Sequence, residues 1–344
     1  MRCEHIDLHK ERNVTLDAYL QDVGGEFRFV TERPAVIVIP GGGYRFCSDR
    51  EADPVAMPYL KAGYDVFILR YSVDENAKWP TPLQDYEDAY EYILSRADEW
   101  HVIKEKIAVI GFSAGGHLAA SAATMAKHRP AAAILGYPVI REDTVHECEP
   151  TAPGIPEHVS QETCPCFLFA TRTDSVVPIQ NTLDMLNALN RYQIAFECHI
   201  YAYGPHGYST GDSSVQSADT VIPARASNWV EDSIKWLRDV MGEFGPDGLL
   251  APVCRRRVSD DGDAWLSVDC TIGRVFGNPE ALRVIAPLVE EMKEKIEPFE
   301  PGMSFEDMLD ALKRMTLREL LTERHIWTER LDEADQLLRT VPNI

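Results

Sequence analysis

The sequence predicts an α/β fold: a mainly parallel central sheet with helices on both faces, followed by a helical C-terminal extension. Three observations carry this. Mostly apolar runs recur at 35–39, 64–69, 107–110, 132–135 and 166–170, with a more alternating one at 195–201. Segments of helical length and periodicity stand between and after them, at 51–62, 83–97, 114–126, 179–189 and 224–241. Runs such as Ala35-Val36-Ile37-Val38-Ile39 are apolar at every position, which suits strands buried on both faces. Strands that alternate with helices imply parallel pairing through crossovers.

Taken in order, the first 35 residues alternate polar and apolar positions, as in Thr15-Leu16-Asp17-Ala18-Tyr19-Leu20, and predict antiparallel edge strands. The α/β pattern then continues to about residue 242. Turn formers cluster at Glu243-Phe244-Gly245-Pro246-Asp247-Gly248, which predicts a boundary between a domain over 1–245 and a small, mostly helical module over 250–344. Within the module, Met308, Leu312, Met315, Leu317, Leu320 and Leu321 recur at spacings that suit one helical face or two short helices.

Composition narrows the function classes. The chain has 344 residues, of which 45% are hydrophobic and 26% charged, as in a globular protein with a sizeable core. Lys and Arg total 34 against 55 Asp and Glu, a formal charge of −21. Such a field repels phosphate backbones and anionic lipid, so neither nucleic-acid nor membrane partners are expected. Eight scattered cysteines without paired spacing read as thiols in a reducing compartment. No apolar leader is visible in Met1–Asp7, and the expected location is cytoplasmic.

The strongest chemical signal is Gly111-Phe112-Ser113-Ala114-Gly115, a G-x-S-x-G string with a predicted strand before it and a predicted helix after it. A serine on so sharp a turn needs small neighbours, and the helix N-terminus beneath it offers N–H groups and a positive dipole end. The plain alternative is a tight turn with an inert serine. Upstream, Pro40-Gly41-Gly42-Gly43-Tyr44 follows a buried strand. Its glycines let the backbone point amides into a cavity, and the N–H groups of Gly42, Gly43 and Ala114 are the candidate oxyanion hole. A phosphate loop is the alternative, but neither G-x-G-x-x-G nor a Walker lysine is present.

A hydrolase triad of this kind runs Ser, acid, His along the chain. Asp174 stands directly after the strand predicted at 166–170 and is the candidate acid, with Asp184 in the following helix as its rival. His206, in Tyr203-Gly204-Pro205-His206-Gly207-Tyr208, follows the next strand and is the candidate base. His117 reads as packing or hydrogen bonding within the elbow. Cys164-Pro165-Cys166 and the pair His146 and Cys148 fall short of a metal site, because two ligands do not make one. Tyr44 and Tyr208 are candidate substrate contacts, since aromatic faces suit sugar rings, with simple packing as the alternative.

These residues carry a resemblance. From about 15 to 242 the chain is similar to α/β-hydrolases of the acetyl esterase and acetylxylan-esterase-like group. Pro40-Gly41-Gly42-Gly43-Tyr44, Arg70-Tyr71-Ser72, Gly111-Phe112-Ser113-Ala114-Gly115-Gly116-His117-Leu118-Ala119, Asp174-Ser175-Val176-Val177-Pro178 and His206-Gly207 match in order. Lipase relatives have His where Pro40 stands, which points toward the sugar-ester branch, and the segment 141–163, where a longer lid often sits, is short.

The resemblance implies a serine esterase that removes short acyl groups, acetyl first, from sugars or xylo-oligosaccharides through an acyl-enzyme, without metal or organic cofactor. The same triad also serves amide or formamide hydrolysis, peptidases and acyltransferases. A catalytically silent binding protein of this fold would be expected to have lost one of Ser113, Asp174 and His206. The expected partner is a small-molecule or oligosaccharide ester. The C-terminal module reads as a homo-oligomerisation element, a cover over the site rim or an inert appendage.

Overall fold

The computed structural model describes residues 1–216, 221–246, 248–254, 256, 265–296, 302–323 and 330–343. The chain falls into two compact units, Met1–Arg256 and Arg257–Ile344.

The first unit is built on an eight-stranded sheet in the order β1-β2-β4-β3-β5-β6-β7-β8. The strands are β1 (Arg2–His9), β2 (Val14–Leu20), β3 (Arg33–Ile39), β4 (Asp65–Arg70), β5 (Val102–Phe112), β6 (Ala133–Gly136), β7 (Cys166–Thr171) and β8 (Phe196–Tyr201). β1 pairs antiparallel with β2, and β2 with β4. Every later pairing is parallel. The alternating N-terminal segment therefore forms the antiparallel edge, and the continuous apolar runs form the parallel centre, as their patterns require.

The helices are α1 (Asp53–Lys61), α2 (Thr81–Trp100), α3 (Ser113–Met125), α4 (Glu142–Val145), α5 (Gln180–Arg191) and α6 (Trp229–Met241). All seven residues of β3 are buried, and alternate positions divide between two cores. Ala35, Ile37 and Ile39 pack with Tyr86, Ile93, Leu118 and Met185 of α2, α3 and α5. Val36 and Val38 pack with Val55 and Tyr59 of α1 and Trp229 and Trp236 of α6. Helices thus cover both faces. At roughly 1.5–3 kcal/mol for each large apolar side chain removed from water, this double burial makes the centre of the sheet the rigid part of the unit.

Two expectations about boundaries shift. The segment predicted helical from residue 224 makes a 3-10 turn at Ala226–Asn228 before α6 begins. The turn-rich stretch near 245 is no linker. Phe244–Gly245 and Gly248–Leu249 form a short antiparallel hairpin, β9 and β10. Beyond it, Val253 and Cys254 donate their amides to the Asp239 carbonyl, and the Ala195 amide donates to the Arg256 carbonyl at 2.9 Å. Residues 250–254 and Arg256 therefore belong to the first unit, and the division falls near 256, not 245–250.

The second unit has its own core. Ile272 and Val275 of α7 (Ile272–Phe276), Ala281 of α8 (Pro279–Val284) and Leu288 and Met292 of α9 (Ala286–Lys295) pack together there. They are joined by Met308 of α10 (Phe305–Ala311), Leu317, Leu320 and Leu321 of α11 (Leu317–Glu323) and Leu338 of α12 (Leu331–Leu338). The apolar spacing read between Met308 and Leu321 is two short helices. Among the described residues, no helix is long and apolar enough to cross a membrane.

Candidate active site

The carboxyl ends of β3, β5, β7 and β8 present the candidate residues on successive loops, the usual position for a site in an open α/β sheet. β5 ends at Phe112 and α3 starts at once with Ser113, whose φ of +54° lies in the left-handed region. A non-glycine residue held there is strained, and the surrounding packing enforces it. A Cβ on Gly115 would lie 2.3 Å from the carbonyl oxygens of both Ile39 and Pro40. Only glycine lets α3 close against the β3 loop.

His206 Nε2 lies 2.8 Å from Ser113 Oγ, and His206 Nδ1 lies 2.7 Å from Asp174 Oδ2. The partners assign the tautomer. A carboxylate accepts from Nδ1–H, so Nε2 is left to accept from the serine hydroxyl. Asp174 Oδ1 accepts the amides of Val176 and Val177, both at 2.9 Å, which fixes the carboxylate on its loop. That loop is bound to the histidine loop by the Thr173 hydroxyl, which donates to the Gly204 carbonyl at 3.2 Å and accepts the Gly204 amide at 3.0 Å. Asp184, the rival acid, is taken up by Arg141 at 2.8 Å and by Gln180.

A cavity of about 270 Å³ opens over Ser113 and His206, with Gly42 and Gly43 on its wall. Gly42 holds φ +135°, and a Cβ there would meet the Phe46 carbonyl at 2.0 Å. The Gly41 amide donates to Glu51, whereas among the described residues the Gly42 and Gly43 amides donate to no protein acceptor. Ala114 sits in the first turn of α3, where N–H groups have no partner within the helix. Three amides are thereby available beside Ser113.

Two expectations need correction. Tyr44 and Tyr208 are 1% and 0% exposed, so neither ring has a face to offer a substrate. The Tyr44 hydroxyl donates to His117 Nδ1 at 2.7 Å, and Tyr208 packs on Tyr137 and Phe169. Both are core residues beneath the site. His117 completes its bonding with the Pro153 carbonyl at 2.8 Å, and burial pushes its pKa down to about 4, so it stays neutral.

Cys166 donates its thiol to the Cys164 carbonyl at 3.3 Å, and His146 Nε2 donates to the Ala152 carbonyl. Among the described residues, no group of three or more His, Cys, Asp or Glu could hold a metal ion.

Sequence reasoning missed several residues of the cavity wall. Cys148, Thr144 and Glu147 come from the short segment after β6, and Arg50 and Glu51 from the loop after Gly43. Tyr137, at φ +33°, sets its ring edge-on to His206 at 5.0 Å between centroids. Its place directly after a parallel strand was a usable signal. Glu51, read as the first residue of a helix, gave none.

A serine on a strand-to-helix elbow, bonded to histidine and aspartate, stands at the carboxyl rim of a sheet built like that of an α/β hydrolase. On the fold the comparisons agree. The BD-FAE family model matches residues 17–133. The solved structure of MGS-M1, an α/β-hydrolase enzyme from a Medee basin deep-sea metagenome library, is 42% identical with a TM-score of 0.66. That match covers 70% of this chain and 98% of the other. The chain belongs to the α/β-hydrolase superfamily.

Over 211 residues it is 31% identical to endo-1,4-beta-xylanase B of Butyrivibrio fibrisolvens, covering 53% of this chain and 33% of that protein. It is 26% identical to an acetylxylan esterase of Xylanibacter ruminicola, covering 53% and 43%. The chain thus spans less than half the length of these two curated relatives.

Proposed function

We propose that this chain is a serine carboxylic-ester hydrolase that removes short acyl groups, acetyl first, from a sugar or xylo-oligosaccharide. The observation that carries the reading is the continuous Ser113–His206–Asp174 hydrogen-bond chain at 2.8 and 2.7 Å, opening on a small cavity. His206 takes the proton of Ser113 as its oxygen attacks the ester carbonyl. The Asp174 carboxylate, bonded at Nδ1, stabilises the imidazolium that forms. The developing oxyanion is met by the amides of Gly42, Gly43 and Ala114, fixed in place before the reaction begins. The alcohol leaves with the proton from His206, and water then repeats the cycle on the acyl-enzyme.

The size of the cavity, about 270 Å³, favours a short acyl group. It is smaller than the roughly 300–1,000 Å³ typical of pockets for larger ligands. The similarity to an acetylxylan esterase and a xylanase supports a sugar as the alcohol. The test is a panel of 4-nitrophenyl esters from acetate to octanoate together with acetylated xylo-oligosaccharides, with Ser113→Ala as control. The expected result is turnover that falls with acyl length and vanishes in the control. Equal rates in parent and control sink the reading. Rates that rise with acyl length reject the short-acyl preference.

A further inference from the structure

We propose that Glu51 is the positioning residue of this site, a buried carboxylate that ties the glycine loop to the loop bearing the base. The inference rests on the esterase reading above and adds a residue to it. Glu51 is 3% exposed, though it lies among the residues around the cavity. Its Oε2 accepts the Gly41 amide at 2.9 Å, and its Oε1 accepts the Tyr137 hydroxyl at 2.5 Å. Burying a carboxylate costs less when its oxygens are bonded, and here both are.

Each bond leads to a different part of the machinery. Gly41 directly precedes Gly42 and Gly43, and a Cβ on it would stand 3.1 Å from that of Ser113. Glu51 therefore fixes the start of the candidate oxyanion loop against the nucleophile. On the other side, the Tyr137 oxygen accepts the Ser209 amide at 3.0 Å, three residues beyond His206. The Tyr137 ring also stands edge-on to the imidazole. One carboxyl group thus sets the distance between the amide donors and the base, and the mechanism above uses it nowhere.

The charge has a second consequence. Asp174 bonds His206 at Nδ1, and Glu51 bonds the hydroxyl of Tyr137, whose ring stands against the imidazole. Arg50 is the nearby cation, its guanidinium 3.8 Å from where a Gly207 Cβ would stand. The Glu51 carboxylate attracts the His206 proton, so its field favours the imidazolium that forms during attack. Burial raises the pKa of Glu51, while the Tyr137 hydroxyl, the Gly41 amide and His206 act to lower it. Removing the charge destabilises the imidazolium that forms during attack.

The experiment compares parent, Glu51→Gln and Tyr137→Phe by two readouts: hydrolysis of 4-nitrophenyl acetate, and labelling of Ser113 by a fluorophosphonate, which needs an activated serine but no ester substrate. Glu51→Gln is expected to lower kcat by about 10²-fold, the scale of one lost oxyanion donor, with KM within threefold. Labelling slows in parallel, and the acid limb of both pH profiles moves to lower pH. Tyr137→Phe keeps the ring and is expected to act in the same direction by a smaller factor, without the shift of the limb.

A folded Glu51→Gln that labels at the parent rate with its acid limb unmoved overturns the proposal. If Glu51→Gln does not fold, Tyr137→Phe decides, and parent-like labelling in it overturns the proposal too. Labelling without hydrolysis of any ester rejects the esterase reading and leaves Glu51 to be judged on labelling rates. A parent that neither labels nor hydrolyses overturns both.

Discussion

His206 Nε2 lies 2.8 Å from Ser113 Oγ although 93 positions separate the two residues. What joins them is the sheet. β5 delivers Ser113 at its carboxyl end, and β8, two strands beyond β6, delivers the loop that returns His206 across the same rim.

The first prediction concerns the tautomer that this geometry sets. In Asp174→Asn, Oδ1 still accepts the Val176 and Val177 amides, so the loop keeps its shape and the new amide nitrogen faces His206 Nδ1. A donor there forces the imidazole proton onto Nε2, where it cannot accept from Ser113. Turnover of 4-nitrophenyl acetate is expected to fall by about 10⁴-fold, the cost of this substitution in serine proteases. Ser113→Ala removes the nucleophile and is expected to cost on the order of 10⁶. A drop of less than tenfold in Asp174→Asn dismisses the aspartate as orienter of the base.

Gly42→Ala tests the amide wall. Its φ of +135° suits no side chain, and the added Cβ would stand 2.0 Å from the Phe46 carbonyl oxygen, which is backbone and cannot swing aside. The loop must move, and with it the amides of Gly42 and Gly43. The expected outcome is a loss of about 10²–10³ in kcat, on the scale of one oxyanion donor, in a protein that still folds around its intact sheet. Unchanged kcat removes this loop from the proposed mechanism.

The third prediction is a pH dependence of stability. Burial lowers His117 from 6.5 to about 4, so between those values the unfolded chain binds the extra proton and the folded protein does not. Stability contributed by neutral His117 is therefore full above 6.5 and is lost as pH falls toward 4. The loss is on the order of 3 kcal/mol. Asp65 works against it. Buried, with Oδ2 unbonded, it is raised from 3.8 to about 7, so the folded state gains from acidification over nearly the same range.

In the parent these two contributions oppose each other, and a difference measurement separates them. His117→Asn is expected to be less stable than the parent at pH 7 by urea denaturation, with the gap narrowing at pH 4.5. A gap that widens on acidification means that His117 is charged in the folded protein.

How much of this was legible in the sequence depends on the kind of signal. Ser113 was singled out by its G-x-S-x-G string between strand and helix, and Asp174 and His206 because each follows a later predicted strand at the end where parallel strands present their loops. Order and period therefore located them without any knowledge of packing. Tyr44 and Tyr208 sat in the right loops, yet their rings turn inward. A backbone position does not state which way a side chain faces, and Tyr44 at φ +58° directs its hydroxyl to His117. Glu51 was invisible for the opposite reason. Nothing in Asp49-Arg50-Glu51 separates it from a solvated helix start, and the hydroxyl that bonds it belongs to Tyr137, 86 positions away.

The position of the division makes the last prediction. A chain ending at Gly245 loses the β9–β10 hairpin and the bond from the Leu250 amide to the Glu243 carbonyl at 2.8 Å. It also loses the Val253 and Cys254 amides on Asp239 and the Arg256 carbonyl that accepts from Ala195. Ala195 is 1% exposed beside β8 with this segment in place, and the cut takes away its acceptor. Each such bond contributes about 0.5–1.5 kcal/mol. In a domain of this size each kcal/mol moves the melting temperature by roughly 2–4 °C. A chain ending at Arg256 keeps all of these bonds, so it should melt several degrees above the one ending at Gly245 and hydrolyse 4-nitrophenyl acetate at the full-length rate. The second unit, with a core of its own, should not be needed for either. Equal melting temperatures for the two truncations place the boundary back at the turn. Loss of activity in the longer one means that residues 257–344 are needed for turnover.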